Sequence, residues 1–244
     1  MMTGRAAAPG GILRADPDLA GILALAARTR AAVVDIGRLE YIPALELQRQ
    51  LRDERMAERC GDLLLLLEHP PTITLGRRAE PSELLATPEE LARRGIATVE
   101  TDRGGRTTYH GPGQVVGYAI VDVARRAGGV HGCVRDLEQV VIDALNELGV
   151  GGERIVGLTG VWVKGAKIAA IGLHVRHWVT NHGFALNVTR DSVEPFDLIV
   201  PCGIPDRPVT CLEEALGRPV PLGDVKEALT RAFVARFIRN STAG

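Results

Sequence analysis

Residues 103–114 read Arg-Gly-Gly-Arg-Thr-Thr-Tyr-His-Gly-Pro-Gly-Gln, with four glycines and a proline around Tyr109 and His110. Glycine lets a backbone approach a ligand closely and adopt positive φ. Its N–H groups can then form an anion-binding concavity. The segment is neither a GxxxxGK[ST] phosphate loop nor a GxGxxG turn opening a helix. Glycines alone describe any tight loop between strands. Two arginines, a tyrosine and a histidine on the same loop point instead to a ligand.

A second candidate is Pro201-Cys202-Gly203-Ile204, which follows the apolar strand end Leu198-Ile199-Val200. A thiol there, before a glycine, suits a nucleophile beside free backbone N–H groups; the alternative is a small buried hydrophobe. The other three cysteines lack supporting neighbours: Cys60 sits on a charged helix, Cys133 at a helix start, and Cys211 after Thr210, which can cap a helix beginning near Leu212. No CxxC pair occurs, so neither a disulfide framework nor a zinc site is expected. His174, His177 and His182 lie within nine residues, yet no carboxylate or thiolate at matched spacing accompanies them, so no metal is expected. His182, before Gly183, reads as a pocket residue, and His174 and His177 as exposed strand positions.

Of 29 basic residues only Lys164, Lys167 and Lys226 are lysines, against 26 arginines. Codon bias explains the ratio, but each lysine is worth placing. Lys226 falls on the polar side of the last helix, where solvation is expected, and Lys164 in a hairpin turn. Lys167 precedes Ile168-Ala169-Ala170-Ile171-Gly172, a strand apolar on both faces. Burial there disfavours the ammonium and equips the amine for proton transfer. An edge lysine pointing to water fits the same pattern.

These residues require a scaffold. The chain has 244 residues and a net charge of −1, enough for one domain with a full core and too balanced for a dedicated nucleic-acid binder. No apolar run approaches the ~18 residues of a membrane span. Residues 1–30 read as a flexible N-terminal extension, with a short apolar helix over Leu19–Ala27 and no signal peptide, since Asp16 and Asp18 flank the apolar run. From Ala32, strands and helices alternate irregularly. Strands are expected at Ala32–Ile36, Asp62–Glu68, Ile96–Glu100, Val115–Val123, Gly160–Val163, Lys167–Val175 and Phe184–Val188. Helices are expected at Tyr41–Arg59, from Thr87-Pro88-Glu89-Glu90, at Cys133–Leu148 and at Asp224–Arg239, with a loop over His69–Arg78. The class is α+β: a single domain, 31–240, with a mixed, mainly antiparallel sheet flanked by helices.

Together and in this order, RGGRTTYHGPGQ, KIAAIGL, HGFALNV and PCGI resemble the lipoyl(octanoyl) transferase family. The resemblance runs from about Val33 to Leu216 and includes EHPPTITLGR. It implies the α/β fold shared by biotin and lipoate protein ligases. It also implies transfer of octanoate from octanoyl–acyl carrier protein to a lipoyl-domain lysine, as the first step of endogenous lipoate synthesis. On this resemblance Cys202 is the acyl-thioester nucleophile and Lys167 works with it. Substrate contacts are implied for Arg103, Gly104, Gly105, Arg106, Thr107, Thr108, Tyr109 and His110, for Ala170, Ile171 and Gly172, and for Gly183, Phe184 and Ala185. Tyr41, His69 and His182 are further pocket candidates. The partners implied are octanoyl–acyl carrier protein, lipoyl domains of 2-oxoacid dehydrogenase complexes and the glycine cleavage H protein. No cofactor, metal, nucleic acid or membrane is implied, and a monomeric cytoplasmic enzyme is expected. Arg77, Arg78 and Arg103 are candidates for steering the acidic carrier. One departure stands out: Cys211 occupies the place after Thr210 where serine is expected. The competing reading is an ATP-dependent lipoate or biotin protein ligase on the same fold, which forms an acyl-adenylate and needs no cysteine.

Overall fold

The structure, a computed structural model, describes residues 12–14, 19–26, 31–124, 126–203 and 207–238. The first element, β1 (Leu13–Arg14), adds to the sheet edge beside β2 (Ala31–Arg38), with α1 (Leu19–Ala26) between them. Ile22 of α1 is fully buried, so this part of the expected extension packs onto the domain. Helix α2 (Tyr41–Met56) buries Tyr41, Ala44, Leu45, Gln48, Leu51 and Arg52, the three-and-four spacing of one helical face. Strand β3 (Asp62–Glu68) has five leucines, all buried, because both of its faces are covered.

The stretch expected as a loop over His69–Arg78 contains a strand, β4 (Thr72–Leu75). Its prolines lie just before the strand, so Thr72-Ile73-Thr74-Leu75 is free to pair. Helix α3 (Pro88–Arg93) starts where expected: Thr87 Oγ1 accepts from the Glu90 N–H at 3.2 Å, and Pro88 takes the first position. Strands β5 (Ala97–Glu100) and β6 (Thr107–His110) flank β4 in a three-stranded sheet. The middle of the glycine-rich segment, Thr107–His110, is therefore strand, not loop. Strand β7 (Gln114–Ile120) follows, then α4 (Gly129–Glu147), which begins behind the left-handed Gly128 and contains Cys133 within it.

Strands β8 (Glu153–Ile155), β9 (Leu158–Val163), β10 (Ala166–Arg176) and β11 (Val179–Asn187) complete the large sheet. Two turns with left-handed residues, Lys164-Gly165 and His177-Trp178, close the β9–β10 and β10–β11 hairpins. His177 is thus a turn residue rather than a strand residue. The expected apolar strand end Leu198-Ile199-Val200 instead links two short 3₁₀ turns, Glu194–Leu198 and Pro201–Gly203, with only a single bridge from Ile199 to Leu84. The chain then forms α5 (Leu212–Leu216), capped at Cys211 rather than Thr210, and α6 (Leu222–Phe233), which widens into a π-helical turn at Val234–Ile238.

The eight-stranded order is β1-β2-β3-β7-β11-β10-β9-β8, parallel only at the β1–β2 and β2–β3 pairs. This is the mixed, mainly antiparallel sheet expected. Helices α4 and α6 cover one face and α1 and α2 the other, and a third core forms under the small sheet around Ile73, Tyr109 and Phe196. Lys226 does not lie in solvent. It is buried, with Nζ 2.7 Å from Asp35 Oδ1, because the face of α6 that carries it packs toward β2.

Candidate active site

Pairing of β10 with β11 places Ala170 opposite Ala185, Ile171 opposite Phe184 and Gly172 opposite Gly183. Two triplets apart in the chain thereby become one patch of sheet. The Arg103–Arg106 loop lies across it, with the Gly104 N–H donating to the Leu173 carbonyl at 2.8 Å. A Cβ at Gly172 would come within 2.6 Å of the Gly104 carbonyl oxygen, and one at Gly183 within 2.1 Å of the Gly117 oxygen. These glycines are required for backbone to stack on backbone.

The loop is stapled to the small sheet by Arg103, which donates from Nη2 to the Thr74 carbonyl at 2.7 Å and to Thr74 Oγ1 at 2.8 Å. Arg103 is buried, so it is not a surface steering arginine; Arg77 and Arg78 are exposed. Along β6 the side chains alternate. Thr108 and His110 face a cavity of about 480 Å³, whereas Thr107 bonds Glu83 and Tyr109 packs its ring on Phe196, away from the cavity. The cavity wall also includes Tyr41, Arg103–Arg106, Lys167, Ala170–Gly172 and His182–Ala185. His69 stands one shell behind.

The aromatic wall is held in defined protonation states. His69 is buried and its pKa is held down at about 4 by desolvation. Its Nδ1–H donates to the Leu39 carbonyl at 2.6 Å, leaving Nε2 to accept the Tyr118 hydroxyl at 2.6 Å. Burial also holds His110 well below the imidazole range, and its Nδ1–H donates to Gln114 Oε1 at 2.8 Å. Burial lowers His182 likewise; its Nε2–H donates to Asp102 Oδ1 at 2.8 Å, and that bond, with Arg49 beyond it, holds the carboxylate well below its usual range. Two neutral imidazoles, His110 and His182, therefore border the cavity at neutral pH, with a third, His69, behind them.

Lys167 opens β10 at a bulge in the β9–β10 pairing and is buried. Its N–H donates to the Pro208 carbonyl at 2.8 Å, and its carbonyl accepts from the Thr210 N–H at 2.9 Å. The segment just beyond the Pro201–Gly203 turn is thus tied to the lysine backbone. Nζ lies 5.2 Å from the Trp162 ring centroid, a cation–π distance. A smaller cavity joins Lys167 to Pro201, Thr108 and Ala185. Space for the lysine comes from Gly160, at φ +129°, where a Cβ would come within 2.6 Å of Lys167 Cε.

Cys202 lies in the Pro201–Gly203 turn, and its side chain falls outside the described residues. Burial pushes the Cys133 thiol up to about 12 and raises Cys60 and Cys211, so these three thiols stay protonated near neutrality.

Sequence reasoning missed Tyr118, Asp102, Glu83 and Gly160. Asp102 directly precedes the arginine–glycine segment, a usable signal. Tyr118 sits in a strand buried throughout, where no periodicity distinguishes it.

The chain matches the Lipoyl protein ligase A/B catalytic domain family over residues 40–234. It is 50% identical over 208 residues to an octanoyltransferase of Chloroflexus aggregans, covering 84% of this chain and 94% of that one. It is 48% identical over 206 residues to an octanoyltransferase of Koribacter versatilis, covering 82% of each. Among solved structures, a bi-partite lipoate protein ligase of Thermoplasma acidophilum superposes with a TM-score of 0.61 at 16% identity, over 84% of this chain and 82% of that one. A lipoate-protein ligase A bound with ATP gives a TM-score of 0.61 at 14% identity, over 85% and 84%. The two structures share the fold alone, whereas the sequence relatives share half their residues. The chain belongs to the lipoyl protein ligase A/B catalytic-domain family, on its octanoyltransferase branch.

Proposed function

We propose that the protein moves an octanoyl group from octanoyl–acyl carrier protein to a lipoyl-domain lysine through a thioester on Cys202. The acceptors are lipoyl domains of 2-oxoacid dehydrogenase complexes and the glycine cleavage H protein. The observation that carries this reading is the buried Lys167, on the wall between the large cavity and the turn that bears Cys202.

A free thiol, with pKa about 8.5, is only slightly ionised near neutrality, so a base must take its proton. Lys167 accepts it, or its ammonium holds the thiolate as an ion pair. The thiolate attacks the donor carbonyl, the carrier sulfur leaves, and the Lys167 ammonium returns the proton to that sulfur. In the second half the acceptor amine attacks the acyl-enzyme, Lys167 takes the amine's proton, and the Cys202 sulfur is released and reprotonated. One thioester replaces another at similar energy, so acylation needs no nucleotide. The octanoyl chain fits the apolar side of the cavity, where Val116, Ile171, Leu173 and Phe184 contribute. At about 0.8 kcal/mol per buried methylene, six methylenes supply ~5 kcal/mol. The exposed Arg77 and Arg78, on the turn hydrogen-bonded to the Arg103–Gly105 backbone, suit an acidic carrier. Among the described residues no helix is long and apolar enough to cross a membrane.

Intact-mass measurement after mixing with octanoyl–acyl carrier protein tests this. An octanoyl adduct is expected on the wild type and absent from Cys202→Ala. An active Cys202→Ala protein, or transfer requiring ATP and magnesium, overturns it.

A further inference from the structure

Glu83 ends a 3₁₀ turn, Pro81–Glu83, that belongs to neither the glycine-rich segment nor the cysteine turn. It is nonetheless bonded to both. Its carboxylate is buried and accepts from the Thr107 N–H at 3.0 Å, from Thr107 Oγ1 at 2.7 Å, and from Arg106 Nε. Its own carbonyl accepts from the Val200 N–H at 2.8 Å, one residue before Pro201. The next residues extend the contact: Leu84 bridges Ile199, and the Leu85 and Ala86 N–H groups share the Leu198 carbonyl.

Arg106 closes the arrangement. Its Nη2 reaches Glu80 at 2.8 Å, and its Nε stands where a Gly203 side chain would be, 2.4 Å from that Cβ position. Gly203 has φ +66°. One buried carboxylate therefore fixes Arg106 at the cavity wall and Thr107 behind it, and the same residue's main chain fixes the entry to the 201–203 turn.

We propose that Glu83 is a positioning residue for acyl transfer: it sets the separation between the substrate-binding segment and the nucleophile turn. The inference rests on the function proposed above. Loss of the charge at Glu83 leaves Arg106 to the exposed Glu80, so that it can shift from Gly203, and a shift of about 1 Å at a reacting group costs on the order of 100-fold in rate.

The test follows single-turnover acylation by intact mass, across donor concentrations, for wild type, Glu83→Gln and Glu83→Asp, together with thermal melts. For Glu83→Gln we expect the maximal acylation rate to fall about 30- to 100-fold, with the half-saturating donor concentration within about threefold of wild type. Glu83→Asp keeps the charge but shortens the arm, and is expected to lose less; it decides the matter if Glu83→Gln does not fold. Rates within threefold of wild type in the folded variants overturn the proposal. So does a loss carried by donor affinity rather than by rate. If wild type itself forms no adduct on Cys202, the underlying function fails instead, which separates the two outcomes.

Discussion

Replacing Gly160 with alanine tests how Lys167 is held. Gly160 adopts φ +129°, a conformation that alanine reaches only with strain, and a Cβ there would meet Lys167 Cε at 2.6 Å and the Ala169 carbonyl oxygen at 2.7 Å. Carbon atoms in contact prefer about 3.5–4.0 Å, so the lysine chain must retreat by about 1 Å. The Ala169 carbonyl belongs to the β10 backbone and has little freedom, which leaves the lysine side chain as the part that gives. The backbone strain alone costs about 1–3 kcal/mol, or roughly 2–12 °C in Tm for a domain of this size. Displacing the base by about 1 Å should slow acylation about 100-fold. The control is Gly95→Ala, which has φ +63° but no atom within 4 Å of its Cβ position. It should lose stability and keep its acylation rate. Both variants are measured by thermal melts and by single-turnover adduct formation under mass spectrometry. A Gly160→Ala protein that acylates at the wild-type rate refutes the reasoning, as does a Gly95→Ala protein that slows equally.

Two further outcomes follow from buried charge. Lys226→Met strands the mostly buried Asp35 carboxylate and should cost about 3 kcal/mol, read as a lower Tm; activity per folded molecule should persist, and Asp35→Asn in the same chain should recover most of the stability. A single variant as stable as wild type would remove the ion pair from the account. Stability should also fall with acid. His69 titrates near 4 in the fold against an ordinary 6.5, so below 6.5 the unfolded chain takes up a proton that the folded one refuses. Its contribution is intact above about pH 6.5 and is lost as pH falls toward 4, about 3 kcal/mol at the limit. His110 and His182, also lowered by burial, act in the same direction. Urea midpoints at pH 7.5 and 4.5 check this, and equal midpoints would contradict a neutral histidine wall.

Much of this molecule was legible before any coordinates. The Asp62–Glu68 strand and the Thr87-Pro88 helix start are written in a few adjacent residues, and both elements stand where expected. Lys167 stood out by its apolar neighbours, and the structure buries it at the bulge in β10. Other features failed for a physical reason. The strands Thr72–Leu75 and Thr107–His110 lie beside prolines and glycines that locally signal a loop, and only their pairing in the small sheet, with each other and with β5, makes them strands. Alternation along β6 then divided the predicted contacts, keeping Thr108 and His110 at the cavity and turning Thr107 and Tyr109 away. Lys226 looked solvated because its helix is polar around it, but the packing of α6 aims it at Asp35.

What the sequence by itself determined is the set of short elements and the chemical types available, because local propensity and side-chain chemistry act over a few residues. What only the tertiary structure decided is which of those groups meet. The register of β10 on β11 joins Ala170–Gly172 to Gly183–Ala185, Gly160 clears the volume that Lys167 occupies, and Glu83 spans two segments more than ninety residues apart. Such contacts depend on close packing between distant parts of the chain, and no window of adjacent residues contains them.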